Sequence, residues 1–302
     1  MPDRKSALLR YFDSKAIARL TAVGLRPRGL VEGSLVGEHR SPFHGFAIEF
    51  AGHRQYVQGD DLKHFDWKAY YRSEKSLIRQ YAQETNFVGH IVVDVSESMT
   101  FEYGKRSKRD LAAFISVALA GAIVAQNDMA AVTFFADDLI ESVPATGSEE
   151  IIGKISEYMQ EAPFKDATAV GRILRLLSEQ IGRRKCVFVI SDFFNDLDST
   201  FDGVKRLLFN NNEVVLFHLL DPIEMDFDHK GQVELLELEG EDRMVIEGRN
   251  IRESYNRLFG EYLEDIRSRA RKMAIDYVLC DTSRNFGLTL AKYLNTRVSG
   301  GL

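Results

Sequence analysis

The stretch VVDVSESMTF at 92–101 sets one carboxylate and two hydroxyls, Asp94, Ser96 and Ser98, at every second position. In extended chain, alternate side chains leave the backbone on one side. The apolar residues that lead in, GHIVV, read as a buried strand, so this strand ends in three oxygen ligands aimed the same way. A second apolar run, KCVFVISD, ends in another acid, Asp192, and Thr168 sits in KDATAVGRIL, a loop entering a helix. Carboxylate and hydroxyl oxygens suit a hard divalent cation: Mg²⁺ first, with Mn²⁺ or Ca²⁺ served by the same donors. The competing reading is capping, because Ser, Thr and Asp just before a helix accept its first backbone N–H groups. Asp94 resists that reading, since a carboxylate ending a buried strand needs a partner of its own.

Positioning these groups falls to an alternation of strands and helices. Strand-like runs at 87–94, 129–135, 185–190, 213–220 and 275–280 are continuously apolar, as strands buried on both faces are. Helical patterns lie between and after them, near 106–126, 149–160, 168–182, 199–210, 250–273 and 284–295. The expected fold is α/β: a doubly wound, mostly parallel sheet covered by helices on both faces. DDLIESV at 137–143 reads as a short edge strand, and 233–248 as an inserted β-hairpin turning at Gly240-Glu241-Asp242. Residues 3–20 have helical spacing, whereas 24–85 are rich in Gly, Arg, His, Asp and aromatics. Two parts are therefore expected, an N-terminal extension over 1–85 and an α/β domain over 86–302.

Composition narrows the function classes. Of 302 residues, 45% are hydrophobic and 28% charged, with a formal charge of -6, which lacks the basic footprint of a nucleic-acid binder. The basic clusters at 183–185 and 267–272 stand beside acids and read as solvated faces. Cys186 and Cys280 lie in apolar runs and read as reduced, buried thiols. The longest apolar stretch, 111–125, is shorter than the roughly 20 residues that span a bilayer, and MPDRKSALLRYFDSK is too charged for a signal peptide. A cytoplasmic protein is expected.

Strand-end acids holding a cation also begin many hydrolases and phosphotransferases. In those enzymes a nucleophilic Asp is usually followed two residues later by a second acid, and here that position is Ser96. The sequence holds no G-x-x-x-x-G-K-[ST], G-x-S-x-G or H-E-x-x-H. His39, His44, His53 and His64 have no ligand spacing. A Mg²⁺-dependent hydrolase or phosphotransferase is thus the alternative, and a non-enzymatic binding module the first expectation.

DVSES, with Thr168 and Asp192, resembles the metal-ion-dependent adhesion site of von Willebrand factor A domains. The resemblance implies one cation held by Asp94, Ser96, Ser98, Thr168 and Asp192, with a partner's Asp or Glu completing the sphere. The chain departs from that pattern at Ala167 and Phe193, where Gly is common, and Thr146 in PATGS is a second candidate for the loop Thr. A narrower resemblance covers nearly the whole chain from about residue 30. FHGFAIEFAGHRQYVQGDDLKHFDWKAYYR, with HLLDPIEMDF and AKYLNTR downstream, is similar to the domain-of-unknown-function fifty-eight family. Its hallmark is carried here by Glu49-Phe50, Arg54, Tyr56, Gly59, Asp60, Asp61, Asp66 and Trp67. That resemblance implies an adaptor for a MoxR-type AAA+ ATPase in the maturation or assembly of client proteins. The block itself has two readings: a network in which Arg54, Arg72 and the acids pair around a Trp67 anchor, or a docking surface.

Overall fold

A computed structural model of the chain describes residues 10–23, 25, 48–57, 60, 62–83, 87–104, 106–161, 169–228, 232–236, 243–287, 289, 290 and 293. Two compact units form: Met1–Pro27 with Phe87–Leu302, and Arg28–Asn86. Helix α1 (Ser14–Val23) belongs to the first unit, not to the extension in which sequence reading placed it. The physical reason is burial. Tyr11, Ala16, Leu20 and Leu25 enter the main hydrophobic core, and the Tyr11 hydroxyl donates to Asp110 over 3.1 Å.

In the second unit, strand β1 (Ile48–Gln55) is separated by the short helix α2 (Trp67–Ser73) from strand β2 (Leu77–Gln83), with which it pairs antiparallel. Asp66 caps α2 by accepting the Ala69 N–H at 3.0 Å, and Glu74 ends it in the left-handed conformation.

The first unit is built on one six-stranded sheet. Its strands are β3 (Val88–Asp94), β4 (Met129–Phe135), β5 (Leu139–Thr146), β6 (Cys186–Ser191), β7 (Glu213–Leu220) and β10 (Asp276–Asp281). The order across the sheet is β10-β7-β6-β3-β4-β5, parallel throughout except for the antiparallel edge strand β5. A separate hairpin joins β8 (Gln232–Leu236) to β9 (Arg243–Glu247), as sequence reading expected; its turn lies outside the described residues.

Helices cover both faces because successive strand residues point to opposite sides. Ile91 and Val93 of β3, with Phe188 and Ile190 of β6, pack on α1, α3 (Lys108–Ala125) and α4 (Glu150–Glu161). Val92, Val187 and Val189 pack the other way, on α5 (Val170–Gln180), α6 (Leu197–Phe209) and α8 (Gly248–Lys272). Among the described residues no helix is long and apolar enough to cross a membrane. The apolar length of α3 goes instead into protein contacts, with fourteen of its eighteen residues buried.

Helices α5 and α6 touch backbone to backbone. A Cβ added at Gly171 would stand 2.4 Å from the Ser199 carbonyl carbon, and one at Gly203 would stand 2.9 Å from the Gly171 oxygen. No side-chain rotation relieves a clash with backbone, so the helices themselves must shift. We expect Gly171→Ala to cost about 1–3 kcal/mol of stability, read as a lower urea midpoint with unchanged slope.

Candidate functional site

Numbered along the chain, the six sheet strands run 3-2-1-4-5-6, so the order reverses between β3 and β6. Open α/β sheets bind ligands at the carboxyl ends of the strands flanking such a reversal. Strands β3 and β6 pair in parallel, Val93 opposite Ile190, so Asp94 and the Ser191-Asp192 pair leave the sheet together at that rim.

All of these groups are buried. Asp94, Ser96, Ser191 and Asp192 are fully enclosed, and Ser98 nearly so. Asp94 is oriented from two sides: the Ser96 N–H donates to Oδ1 at 2.9 Å and the Ser191 hydroxyl to Oδ2 at 2.6 Å. The Ser96 and Ser98 hydroxyl oxygens lie 3.1 Å apart. For Ser96, Ser98 and Asp192 the described bonds show no helix cap. Helix α3 is capped by Ser107, which accepts the Asp110 N–H, and α6 by Asp196, which accepts the Asp198 N–H. Ser96 precedes a 3-10 turn at Glu97–Thr100, yet its hydroxyl makes no cap bond there.

Sequence reading missed the cation already present. The Lys108 ammonium donates to Asp192 Oδ2 at 2.7 Å and to Glu224 Oε1 at 2.8 Å, with only 1% of its side chain exposed. The aromatic faces of Phe194 and Phe101 stand 5.1 Å and 5.7 Å from its nitrogen. Glu224 is delivered by the short helix α7 (Pro222–Met225), which opens with a reciprocal capping box. Asp221 accepts the Ile223 N–H, while Glu224 Oε2 accepts the Asp221 N–H at 2.7 Å, leaving Oε1 for Lys108.

Electrostatics here are dominated by burial. Burial alone would pull the Lys108 amine down, but Asp192 and Glu224 outweigh it and hold the amine above its usual range. Glu224 moves the opposite way to an ordinary ion-pair partner: burial raises its carboxyl and Lys108 only partly offsets this. The two shifts are compatible because one ammonium is shared between two acids. Asp94 is pushed up to about 6, first by burial and then by the charge of Asp192. Three carboxylates against one ammonium leave these four groups with an excess of two negative charges when ionised.

That excess, with hydroxyls at hand, fits a hard divalent cation. Among the described residues no cluster of three or more His, Cys, Asp or Glu is placed to hold a metal unaided. A cation at this rim would therefore rest on Asp94 and Asp192 together with Ser96 and Ser98. Thr168, the fifth candidate, lies outside the described residues; its neighbour Ala169 donates to the Ala136 carbonyl just past the end of β4. Thr146 is excluded as an alternative. It pairs with Ala130 at the amino end of β4, whereas Asp94 pairs with Phe135 at the carboxyl end.

At Phe193, where the resemblance has Gly, the backbone adopts φ 53°, a region that glycine occupies freely and a bulky residue only at a cost. Its ring is buried edge-on to His218 at 5.4 Å, which keeps Phe in place despite the strain.

In the second unit, Arg54 grips Asp60 with two bonds of 2.7 and 2.6 Å, and Asp60 also accepts the Val57 N–H. Asp66 pairs with His53 at 2.7 Å and lies 3.9 Å from Arg79. Arg72 is exposed, and Tyr56 stacks edge-on against Phe65 at 5.9 Å. Trp67 is 52% exposed, so it is not the buried anchor expected; Phe65 fills that role, with the Trp67 ring 4.7 Å away. Gly59 and Asp61 lie outside the described residues.

Two signals in the sequence pointed to the missed pair. Lys108 occupies the first position of α3, where the helix dipole disfavours a cation, and Asp221-Pro222-Ile223-Glu224 spells a capping box.

The uncharacterized protein Rv1480 of Mycobacterium tuberculosis is 25% identical over 304 residues, spanning 96% of this chain and 92% of its own length. The uncharacterized protein Mb1516 of Mycobacterium bovis matches to the same extent. Among solved structures, the conserved hypothetical protein BatB from Bacteroides thetaiotaomicron is 16% identical with a TM-score of 0.44, covering 70% of this chain and 99% of its own. The SpRpn10 VWA domain is 15% identical with a TM-score of 0.40, covering 70% and 95%. The family model described as "Protein of unknown function DUF58" matches residues 52–265, well over half of the sequence, and the chain belongs to that family.

Proposed function

We propose that this chain is a non-catalytic adaptor that binds other proteins at the β3–β6 rim. Its partners in this reading are a MoxR-type AAA+ ATPase and a client protein bearing an acidic residue, both met in the cytoplasm. Asp94, Ser96, Ser98 and Asp192, joined by Thr168, would hold a divalent cation, Mg²⁺ before Mn²⁺ or Ca²⁺. Bound there, the ion would lend one exchangeable position to a partner's carboxylate. The chain's own residues do the positioning. Ser191 and the Ser96 N–H fix the Asp94 carboxylate, and caps supplied by Ser107 and Asp196 leave the rim hydroxyls uncommitted to helix ends.

The observation that carries the reading is this convergence of Asp94 and Asp192 with the Ser96 and Ser98 hydroxyls, which bond within the rim and not to a helix end, at the point where strand order reverses. Ser96, standing where a second catalytic acid would be, favours binding over hydrolysis. The test is a pull-down of a purified MoxR-type ATPase from the same organism by the full chain. Retention in Mg²⁺ should fall by about tenfold or more in chelator, and equally in Asp94→Ala, an affinity loss of about 1.4 kcal/mol or more. Retention that ignores both changes would sink metal-bridged docking.

A further inference from the structure

We propose that Lys108 is a tethered cation that stands in for a divalent ion at the β3–β6 rim and competes with it, so that loading the site is a charge exchange at Asp192. The proposal rests on the cation-site reading above and supplies its regulation.

The geometry is specific. Lys108 leaves the first turn of α3, where its charge opposes the helix dipole, and runs inward until 1% of its side chain is exposed. Its nitrogen meets one oxygen from β6's end, on Asp192, and one from α7, on Glu224. The Phe101 and Phe194 rings flank it. Lysine is seldom enclosed this completely unless paired, so the two acids and the ammonium form a built arrangement.

Asp192 is also one of the two carboxylates on which a divalent ion would depend. With the ammonium shared between Asp192 and Glu224, the Asp94–Asp192 pair offers that ion less than its two full charges, and the ammonium repels the ion directly. The rim is thereby neutralised in part without metal, and its affinity for metal is held down. Removing the ammonium restores both charges to the incoming ion.

The experiment is Mn²⁺ and Mg²⁺ titration of the full chain by calorimetry, wild type against Lys108→Met, with Lys108→Gln as a second neutral variant. The expected result is cation binding at least about tenfold tighter in both variants. Binding by the variants alone would support the tether while removing metal dependence from the wild-type function. Equal affinity in wild type and variants would overturn the tether and leave the cation site standing. No binding in any of them would overturn both. If the variants do not fold in chelator, their recovery of the native circular dichroism spectrum at saturating Mn²⁺ is the supporting result. Failure to recover would overturn the substitution of one cation for another.

Discussion

Lys108→Met is expected to lower the free energy of unfolding by about 3–5 kcal/mol in metal-free buffer near neutral pH. The methionine chain fills much the same volume, so packing is largely kept and the loss is electrostatic. Asp192 and Glu224 would be left enclosed without their shared ammonium, beside an Asp94 already raised by burial and by Asp192. Breaking one side of a buried pair costs more than the pair was worth, because the orphaned charge keeps its full desolvation penalty. The same physics predicts rescue. Adding Asp192→Asn and Glu224→Gln to Lys108→Met should recover most of the loss, since the two acids that lost the ammonium are then neutral and Asp94 keeps its bonds to Ser191 and the Ser96 N–H. Equilibrium urea unfolding of the wild type, the single variant and the triple variant checks this. A loss below about 1 kcal/mol in the single variant would mean that the pair behaves as a solvent-screened surface contact.

The sheet was legible because its signal is local. Short continuous apolar runs rich in Val and Phe, such as CVFVIS and EVVLFHLL, read as strands buried on both faces, and the observed bounds of these two differ from the expected ones by at most one residue. The placement of Asp94, Ser96, Ser98 and Asp192 at one rim was legible for the same reason, each being tied to a strand end that the pattern marks. The Lys108–Glu224 contact was not. Its partners are 116 residues apart, and their meeting depends on where α3 and α7 sit against the sheet. Helix α1 was misassigned because its amphipathic pattern shows that it packs without showing on what; only the fold supplies α3 as the partner. Trp67 misled through composition, since an aromatic among paired charges reads as an anchor, and Phe65 two positions earlier takes the buried place.

The second large effect is expected at Asp221, a residue remote in sequence from every candidate ligand. Its carboxylate is fully buried, accepting the Ile223 N–H at 3.1 Å and the Thr282 hydroxyl at 2.9 Å. Asp221→Ala removes a helix cap, worth about 1 kcal/mol, and leaves a buried hydroxyl without its acceptor, worth about 1–3 kcal/mol more, so a total near 2–4 kcal/mol is expected. Part of that cost should travel to the rim. The capping box holds Glu224 with Oε2 on the Asp221 N–H and Oε1 on Lys108, so loosening α7 loosens the ammonium's second anchor. Asp221→Ala should therefore cost at least about 0.5 kcal/mol less in a Lys108→Met background than in the wild type. Additive costs in that double-mutant cycle would show that the box serves α7 alone. A coupling of the expected sign would show that the capping box of Asp221 and Glu224 helps set the charge balance at the sheet's rim.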